Sequence, residues 1–478
     1  MTNSTNVKIS AETLLRGVCL SEEFDCDLGD KRRTARVQRV AAAMAEEPAR
    51  SFPDVASDPA EQEALYRLLR NPAVTFEGIF AAHRGTTAAR ARALGEVLVL
   101  HDTTTFMFPC RDGHVRDRLE HTSTNRQGFY GHLGLVVSPD GLRAPLGVVH
   151  FEGYVHDKQV DEPTRAFWDE TFSATSEGER WLAGMNGAEE ALTGCRVIHV
   201  ADREADRNDV LHWATDGGPD RGFVVRATRR AKDDVGRSVD QVLAAQPFVA
   251  TRTIKLNARS LHGVHIRSRT FPERPRRQAT LSFRATAMTV KPFRSAAVAL
   301  NVVEAVELEP PSGEAPIRWV LFTGEPIDTL DAILRIVDIY RSRWLIEEYF
   351  KAIKTGCGYS KRQLDSAPTL LVALALTLPM AWQLLALRHL SRYDADVPAT
   401  STLTPLQIAL LRLQFETLAW SETPTVAEAC RAIARLGGHH RHTGAPGWQT
   451  LGRGLQKLLN MEMGAKLALA GQEQLPFM

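Results

Sequence analysis

Segments that favour β-strands are concentrated in the middle of this 478-residue sequence, and segments that favour helices lie on both sides of them. Between residues 96 and 325, short apolar or alternating runs are separated by Pro and Gly turns, which is typical of strands. Before residue 76 and after residue 370 the apolar positions follow a helical spacing. This order predicts an α/β protein with helical regions at both ends.

The same pattern predicts three domains. The first spans residues 1–75 and is a small helical region, and the second spans residues 76–370 and contains a β-rich insertion at about 225–325. The third spans residues 371–478 and is helical. At roughly 150 residues per domain, the length of the chain also suggests about three domains.

The composition is that of an ordinary globular protein, with 44% hydrophobic and 24% charged residues. Six cysteines are scattered and form no CxxC pair, which argues against a disulfide framework or a zinc ribbon. The N-terminus lacks the basic and apolar regions of a signal peptide. We therefore expect a cytoplasmic location.

One segment approaches the length of a membrane span. Residues 367–387 read APTLLVALALTLPMAWQLLAL, but they include a proline, a glutamine and two threonines, and nothing similar occurs elsewhere. A lone span late in such a chain is less common than a buried helix. The sequence therefore predicts a core helix and no membrane partner.

The net charge of +1 hides a strongly basic middle segment. Residues 221–294 contain 17 lysines and arginines but only 4 acidic residues. Such an excess favours a polyanionic partner such as double-stranded DNA. The alternative is a solvated basic surface with no partner.

A second basic feature lies near the N-terminus, where DLGDKRRTARVQRV predicts a helix that begins after Gly29 and is capped by Asp30. Arg32, Arg36 and Arg39 lie on one face of this helix. Arg32, Arg36 and the neighbouring Arg33 are candidate DNA contacts. Many helices carry such residues only for solubility, so this feature is weak by itself.

Two aspartates follow apolar strand segments. Asp102 follows EVLVLH, and Asp202 follows RVIHVA. Ligands of α/β sheets bind at the carboxyl ends of strands, although aspartate is also common there as a turn former. Converging carboxylates need a cation between them, and hard oxygen ligands favour Mg²⁺ or Mn²⁺.

The segment YRSRWLIEEYFKAIKTG lies in a long helix predicted over about residues 328–355. At 3.6 residues per turn, four of its polar side chains fall within an arc of about 60°. These four are Tyr340, Arg343, Glu347 and Lys354. A surface salt bridge between Arg343 and Glu347 is the simpler explanation, but with the arginine first it has the weaker orientation and leaves the other two residues unexplained.

The spacing Tyr-x2-Arg-x3-Glu-x6-Lys resembles the signature of the insertion-sequence-four family of bacterial DDE transposases. HDTTTF around Asp102 and ADREAD around Asp202 resemble that family's first and second aspartate blocks. GDKRRTAR and ALYRLLRNP resemble the N-terminal DNA-binding region of its transposon-five-type members, and WVLFTGEP and AIARLGG resemble later blocks. The resemblance covers about residues 24–460.

This resemblance implies a ribonuclease-H-like catalytic core interrupted by the β insertion. It also implies an N-terminal domain that binds the inverted-repeat ends of the element, and a C-terminal domain that makes a homodimer on DNA. The residues of the family's catalytic, metal-binding triad are then Asp102, Asp202 and Glu347, which hold two Mg²⁺ ions, with Mn²⁺ as a substitute.

The resemblance further implies that Tyr340, Arg343 and Lys354 contact phosphates near the cleaved end. Trp319 matches the tryptophan that stacks on a flipped base, although a core aromatic residue is the alternative. The basic middle segment then lies along the DNA backbone. Its leading candidates, just after FVVR, are Arg226, Arg229 and Arg230.

The implied function is cut-and-paste transposition through four phosphoryl-transfer steps: hydrolysis at the element end, hairpin formation, hairpin opening and joining of the 3′ end to target DNA. One alternative is a DNA-binding or inhibitory derivative that no longer cuts, which the intact triad disfavours. A second alternative is a metal-dependent nuclease on the same fold, which would not need the helical flanking domains.

Overall fold

The computed structural model describes most of the chain. The described residues are 20, 22–46, 51–56, 58–110, 115–123, 125–156, 160–172, 177–218, 220–228, 231–256, 265–266, 269–270, 275–291, 296–393, 397–440 and 446–474.

Helices lie before, between and after the strands. The α-helices are, in chain order, α1 (Lys31–Glu46), α2 (Phe52–Val55), α3 (Pro59–Leu69), α4 (Phe76–Leu94), α5 (Glu162–Thr171), α6 (Glu177–Ala191), α7 (Asn208–Asp216), α8 (Val239–Ala244), α9 (Leu330–Ser342), α10 (Trp344–Lys351), α11 (Ala367–Tyr393), α12 (Pro405–Gln414), α13 (Val426–Leu436) and α14 (Trp448–Gln474). A π-helical turn, Ala352–Gly356, follows α10.

The strands occupy the middle of the chain, as the sequence predicts. They are β1 (Glu96–Pro109), β2 (Glu120–Ser123), β3 (Arg126–Val137), β4 (Pro145–Tyr154), β5 (Arg196–Ala201), β6 (Arg221–Arg226), β7 (Ala250–Leu256), β8 (His265–Ile266), β9 (Arg269–Thr270), β10 (Arg277–Val290), β11 (Val298–Glu307) and β12 (Arg318–Thr323). The protein is therefore mixed α/β.

By their internal contacts, the residues form two compact units. The first combines Met1–Cys195 with Trp344–Met478, and the second is the continuous stretch Arg196–Arg343. The first unit is discontinuous in sequence. The three-domain division stays a prediction.

The strands of the first unit are antiparallel. β3 pairs with β1, β2 and β4, and Asp102 lies opposite Leu133 in the β1–β3 pair. The core behind these strands includes α11, whose Trp382 indole donates to the carbonyl of Pro145 at 2.9 Å. Tyr349 of α10 donates to the carbonyl of Leu378 in α11, also at 2.9 Å.

Helix α11 contains the apolar segment singled out in the sequence. By length and composition, Ala367–Arg392 could span a membrane, but 94% of its most apolar window is buried inside the protein. The prediction of a buried helix is confirmed. Pro379 lies within it and does not end it.

The first unit also buries an ion pair that attaches the N-terminal region to its core. Glu23 accepts hydrogen bonds from Arg90 at 2.6 Å, from Thr86 at 2.7 Å and from the Nδ1 of His83 at 2.5 Å. The His83 Nε2 accepts from the backbone N–H of Val148 at 3.1 Å, so both ring nitrogens of this buried histidine have partners. Burial raises the pKa of Glu23, but His83 and Arg90 outweigh it and lower the pKa below its usual value.

The second unit contains a mixed sheet in the order β5-β6-β12-β11-β10-β7. Strands β5 and β6 are parallel, and each further pair in this order is antiparallel. One of the expected strands in the insertion, VHIRSRTF, is described only as the two-residue strands β8 and β9, which pair with each other.

Two expectations about local structure were wrong. The first placed Asp102 where its strand ends, but β1 continues through Asp102 to Pro109. Twelve consecutive residues of β1, beginning at Leu98, pair with β3. The polar run Asp-Thr-Thr-Thr does not end the strand, because its backbone groups are held by this ladder.

The second expectation was one continuous helix over residues 328–355. Instead α9 ends at Ser342 and α10 begins at Trp344. The Ser342 hydroxyl donates to the carbonyl of Ile339, and the Arg343 N–H bonds the Tyr340 carbonyl at 3.1 Å in a tighter turn. A serine that bonds back to its own helix weakens the regular ladder.

Candidate functional site

The first unit brings together three of the predicted site residues. Asp102 lies in β1, Glu347 in the first turn of α10, and Lys354 in the π-helical turn. Burial lowers the pKa of Lys354 to about 8, while the negative charges of Glu347 and Asp102 act to raise it. Two carboxylates and one ammonium therefore share one half-buried site.

Strand β1 holds this site through hydrogen bonds on both of its faces. The Lys354 ammonium donates to the Thr104 hydroxyl at 2.6 Å. Asp102 and Thr104 lie on the same face of β1, because side chains alternate along a strand. On the other face, the Thr103 hydroxyl bonds the Nδ1 of the buried His132 at 3.0 Å.

The backbone of the π-helical turn sets the direction of Lys354. The N–H of Cys357 bonds the carbonyl of Ala352 at 2.8 Å, which widens this turn by one residue. The predicted four-residue stripe is therefore broken in two places, after Ser342 and at this turn. Tyr340 and Arg343 belong to the second unit, whereas Glu347 and Lys354 belong to the first.

Asp202 lies in the second unit, directly after β5, where the sequence predicts it. Its side chain caps a short 3-10 helix by accepting from the N–H of Glu204 at 2.7 Å. Nearby, Asp206 accepts from both the N–H and the hydroxyl of Thr228, at 2.5 and 2.6 Å. This pair of bonds attaches the segment after β6 to the segment after β5.

Trp319 and Tyr340 contact each other within the second unit. Their ring centroids are 5.9 Å apart in an edge-on arrangement. Tyr340 is buried and Trp319 is half-buried. Trp319 thus packs on Tyr340 and keeps part of its surface accessible.

The basic middle segment is less cationic than its sequence suggests. Four of its described arginines form ion pairs with carboxylates: Arg237 with Asp233, Arg252 with Asp338, Arg277 with Glu307 and Glu314, and Arg284 with Glu304. All of these carboxylates except Asp233 lie outside residues 221–294. These ion pairs balance part of the positive charge within the protein, and a role of these four arginines along a DNA backbone stays a prediction.

Of the three predicted DNA contacts in this segment, the structure describes one. Arg226 ends β6 and donates to the carbonyl of Arg318, the residue before Trp319, at 3.3 Å. Arg229 and Arg230 lie outside the described residues. The role of Arg226 in binding DNA stays a prediction.

The N-terminal helix forms as predicted. Asp30 caps α1 by accepting from the backbone N–H groups of Arg33 and Arg32, each at 2.9 Å, and the bond from Arg33 is the main reason that the pKa of Asp30 is lowered. The Arg32 side chain is exposed and that of Arg36 is half-buried. Arg33 donates to the carbonyl of Leu28 at 2.7 Å, so part of its guanidinium is already in use.

Two residues near the site were missed in the sequence. Thr104 stands two residues after Asp102, and this spacing alone places both side chains on one face of a strand. Trp344 follows Arg343 directly and is 62% exposed at the start of α10. An exposed tryptophan beside a charged motif is an identifiable signal for binding.

The carboxylates of Asp102 and Glu347 are chemically suited to Mg²⁺, which prefers hard oxygen ligands. In the part of the chain that the structure describes, no three His, Cys, Asp or Glu side chains are grouped closely enough to hold a metal ion. The metal-binding triad therefore stays a prediction.

Comparison with known protein families gives an independent result for the N-terminal region. A family model described as transposase DNA-binding matches residues 19–74. The matched residues include α1, α2 and α3 and the buried Glu23. The match supports a transposase, a DNA-processing enzyme with DNA as its partner.

Proposed function

We propose that this protein is a cut-and-paste DDE transposase of the insertion-sequence-four family, similar to its transposon-five-type members. It would cut the inverted-repeat ends of its element and join the 3′ ends to target DNA in the bacterial cytoplasm. The observation that carries the proposal is the site formed by Asp102, Glu347 and Lys354. The transposase DNA-binding match at residues 19–74 supports it independently.

In this proposal Asp102 and Glu347 hold Mg²⁺ or Mn²⁺, and Asp202 joins them on the grounds of its sequence block. Two bound ions would supply an activated water and stabilise the leaving oxygen. The fold that this triad implies is a ribonuclease-H-like core with a β-rich insertion.

The residues of the chain bind and orient the DNA. The Lys354 ammonium, which donates to Thr104 near the two carboxylates, would bind a phosphate near the cleaved bond as a point charge. Arg343 would bind a phosphate through two parallel N–H groups of its guanidinium, and Tyr340 would contact a phosphate beside it. Trp319 would stack on a base displaced during hairpin formation, which offsets the few kcal/mol of lost stacking.

The order of reaction is the one that the family resemblance implies, with one site used repeatedly. Water attacks the phosphodiester at the element end and releases a 3′-OH. That 3′-OH attacks the opposite strand and forms a hairpin, and a second water opens it. The freed 3′-OH then attacks target DNA. Each step exchanges one P–O bond for another by in-line displacement.

In this proposal the N-terminal region recognises the DNA, and the C-terminal helices assemble the homodimer. Arg32, Arg33 and Arg36 on α1 would contact the inverted repeat, with Arg226 adding a backbone contact elsewhere. A homodimer on DNA, made by the C-terminal helices, would hold both element ends. Phosphate contacts of this kind set position and affinity more than sequence choice.

The test uses the DNA that flanks the gene. Purified protein is incubated with that DNA and Mg²⁺, and the products are resolved under denaturing conditions, with Asp102→Ala and Asp202→Ala as controls. Discrete Mg²⁺-dependent cuts at inverted repeats, with a hairpin product that both variants lack, are expected. Binding without cutting would indicate a non-catalytic derivative, and cutting without joining would indicate a nuclease.

A further inference from the structure

The C-terminal helix makes a backbone contact with the turn that carries Lys354. A Cβ atom added to Gly452 of α14 would lie only 2.3 Å from the carbonyl oxygen of Gly356. Gly356 is the last residue of the π-helical turn, two residues after Lys354. At this position only glycine allows the two backbones to approach so closely.

A second connection joins the same helix to α10. Glu348, the neighbour of Glu347, is 3.6 Å from the guanidinium of Arg388 in α11. That guanidinium lies 4.0 Å from the ring centroid of Trp448, the first residue of α14. The first two turns of α14 therefore contact the π-helical turn directly, and they reach α10 only through Arg388.

Lys354 is consequently held from two directions. Its ammonium is fixed by the Thr104 hydroxyl at 2.6 Å, and its backbone is fixed by the turn that packs on Gly452. A shift of the π-helical turn moves the Cα atom of Lys354, while Thr104 of β1 holds its ammonium group. The bond to Thr104 then lengthens or breaks, because a four-carbon side chain cannot make up a displacement in every direction.

We infer that Gly452 is a positioning residue, through which helix α14 sets the place of the Lys354 ammonium beside Asp102 and Glu347. The consequence for DNA cleavage rests on the proposed function, whereas the placement of the ammonium does not. The C-terminal helix thereby contributes to the geometry of the site as well as to any assembly.

The chain offers two matched controls on the same helix. A Cβ at Gly454 would lie 1.8 Å from the carbonyl oxygen of Ile433 in α13, so Gly454→Ala disturbs packing away from the π-helical turn. A Cβ at Gly464 would have no neighbour within 4 Å. The first control reproduces a backbone clash, and the second reproduces only the added methyl group.

The experiment measures the Lys354 amine directly in the full-length protein without DNA. Each variant is treated with an amine-reactive acylating reagent, and the modification of Lys354 is quantified by peptide mass spectrometry against the exposed Lys351. Gly452→Ala should raise the relative rate at Lys354 about tenfold or more, because loss of a hydrogen bond from a charged group, which contributes roughly 1.5–3 kcal/mol, frees the amine. Gly464→Ala should leave it unchanged, and Gly454→Ala, whose clash is with α13 and not with the turn, should raise it less than Gly452→Ala does.

Cleavage of end DNA is then compared with binding in the same variants. Gly452→Ala should lower the cleavage rate by about tenfold or more while end affinity stays within about twofold, because small displacements at a reacting site cost rate. Equal effects of Gly452→Ala and Gly454→Ala on Lys354 would overturn the inference, as would unchanged labelling in Gly452→Ala.

If Gly452→Ala does not fold, Trp448→Leu provides a second test, because the Trp448 ring lies beside Gly356, 3.8 Å from where an added Cβ would stand, and its removal creates no backbone clash. It should raise Lys354 labelling to an intermediate level, and unchanged labelling would overturn the inference. If wild-type protein cuts no DNA while labelling rises most in Gly452→Ala, the positioning role stands and the proposed function fails.

Discussion

The Lys354 ammonium lies 2.6 Å from the hydroxyl oxygen of Thr104, two residues along β1 from Asp102. This bond links the strand that carries one site carboxylate to the turn that follows the other. A buried ammonium needs such partners, since its desolvation is costly. A substitution of Thr104 by valine therefore tests the site, because it removes the hydroxyl group and nearly keeps the shape of the side chain.

Replacing Thr104 with valine should slow DNA cleavage by about tenfold, because Lys354 loses the acceptor that directs its ammonium and a bond to a charged group contributes roughly 1.5–3 kcal/mol. The measurement is the single-turnover rate of the first nick. Thr104→Ser should keep most of the activity. Thr105→Val changes the neighbouring residue on the opposite face, and an equal loss in that variant would contradict a specific role.

Glu347→Gln should abolish cleavage and leave the affinity for end DNA nearly unchanged. The substitution keeps the size of the side chain but removes a negatively charged ligand. The adjacent Glu348→Gln is the control, since Glu348 pairs with Lys351 and Arg388. Gel-shift and cleavage assays on the same DNA separate the two effects. Normal cleavage by Glu347→Gln would refute its role as a metal ligand.

Trp319→Ala should slow hairpin formation more than the first nick, because only the hairpin step needs a displaced base to be held. A ratio of the two rates that falls by about tenfold corresponds to the 1–3 kcal/mol of base stacking. Trp319→Phe keeps an aromatic ring and should be intermediate. If both steps slow equally, Trp319 serves mainly to pack on Tyr340.

Glu23→Gln should destabilise the protein by about 3–5 kcal/mol, because it leaves the Arg90 guanidinium buried without its counter-charge. Thermal unfolding followed by circular dichroism measures the loss. The neighbouring Glu22 is exposed, and Glu22→Gln should change the melting temperature little. End binding should also weaken in Glu23→Gln, since Glu23 attaches the matched DNA-binding region to the core. A melting temperature equal to that of the wild type would show that the pair is dispensable.

Glu120 predicts a specific dependence of stability on pH. Burial raises its pKa to about 7, against a hydrogen bond from the N–H of His156 that lowers it. The folded state thus binds this proton more tightly than the unfolded state, so stability is highest below about pH 4.5 for this group and is lost as the pH rises toward 7.

Glu120→Gln removes that loss, because the amide stays neutral and its oxygen can still accept from His156. At pH 8 the variant should be more stable than the wild type by about 1–3 kcal/mol, and near pH 4 the two should be equal. Melting temperatures measured across this range provide the test. A constant difference at every pH would show that the carboxyl group of Glu120 does not titrate in this way.

Local sequence signals were sufficient for several elements. The N-cap at Asp30, the end of β5 before Asp202 and the buried character of α11 all follow from residues close in sequence. Each depends on backbone capping or on the hydrophobicity of one segment, which are local properties. The helical regions on both sides of the strands follow for the same reason.

Other features depend on partners far away in the chain. The pairing of Arg252 with Asp338 joins residues 86 positions apart and balances a positive charge that a count over residues 221–294 leaves unbalanced. The contact between Gly452 and Gly356 depends on how two helices cross. Neither periodicity nor charge counting contains this information.

The discontinuity of the first unit has a consequence for how the chain folds during synthesis. Residues 196–343 form a continuous unit and can complete their contacts as they emerge. The earlier residues must wait for α11, whose Trp382 fills the space against Pro145. Domains generally fold in the order of their synthesis. Here the second unit can fold before the first unit, although the first unit begins earlier in the chain. A chain that stops near residue 343 therefore has a DNA-binding region attached to an incomplete core, and its apolar surface is open to proteases and to aggregation.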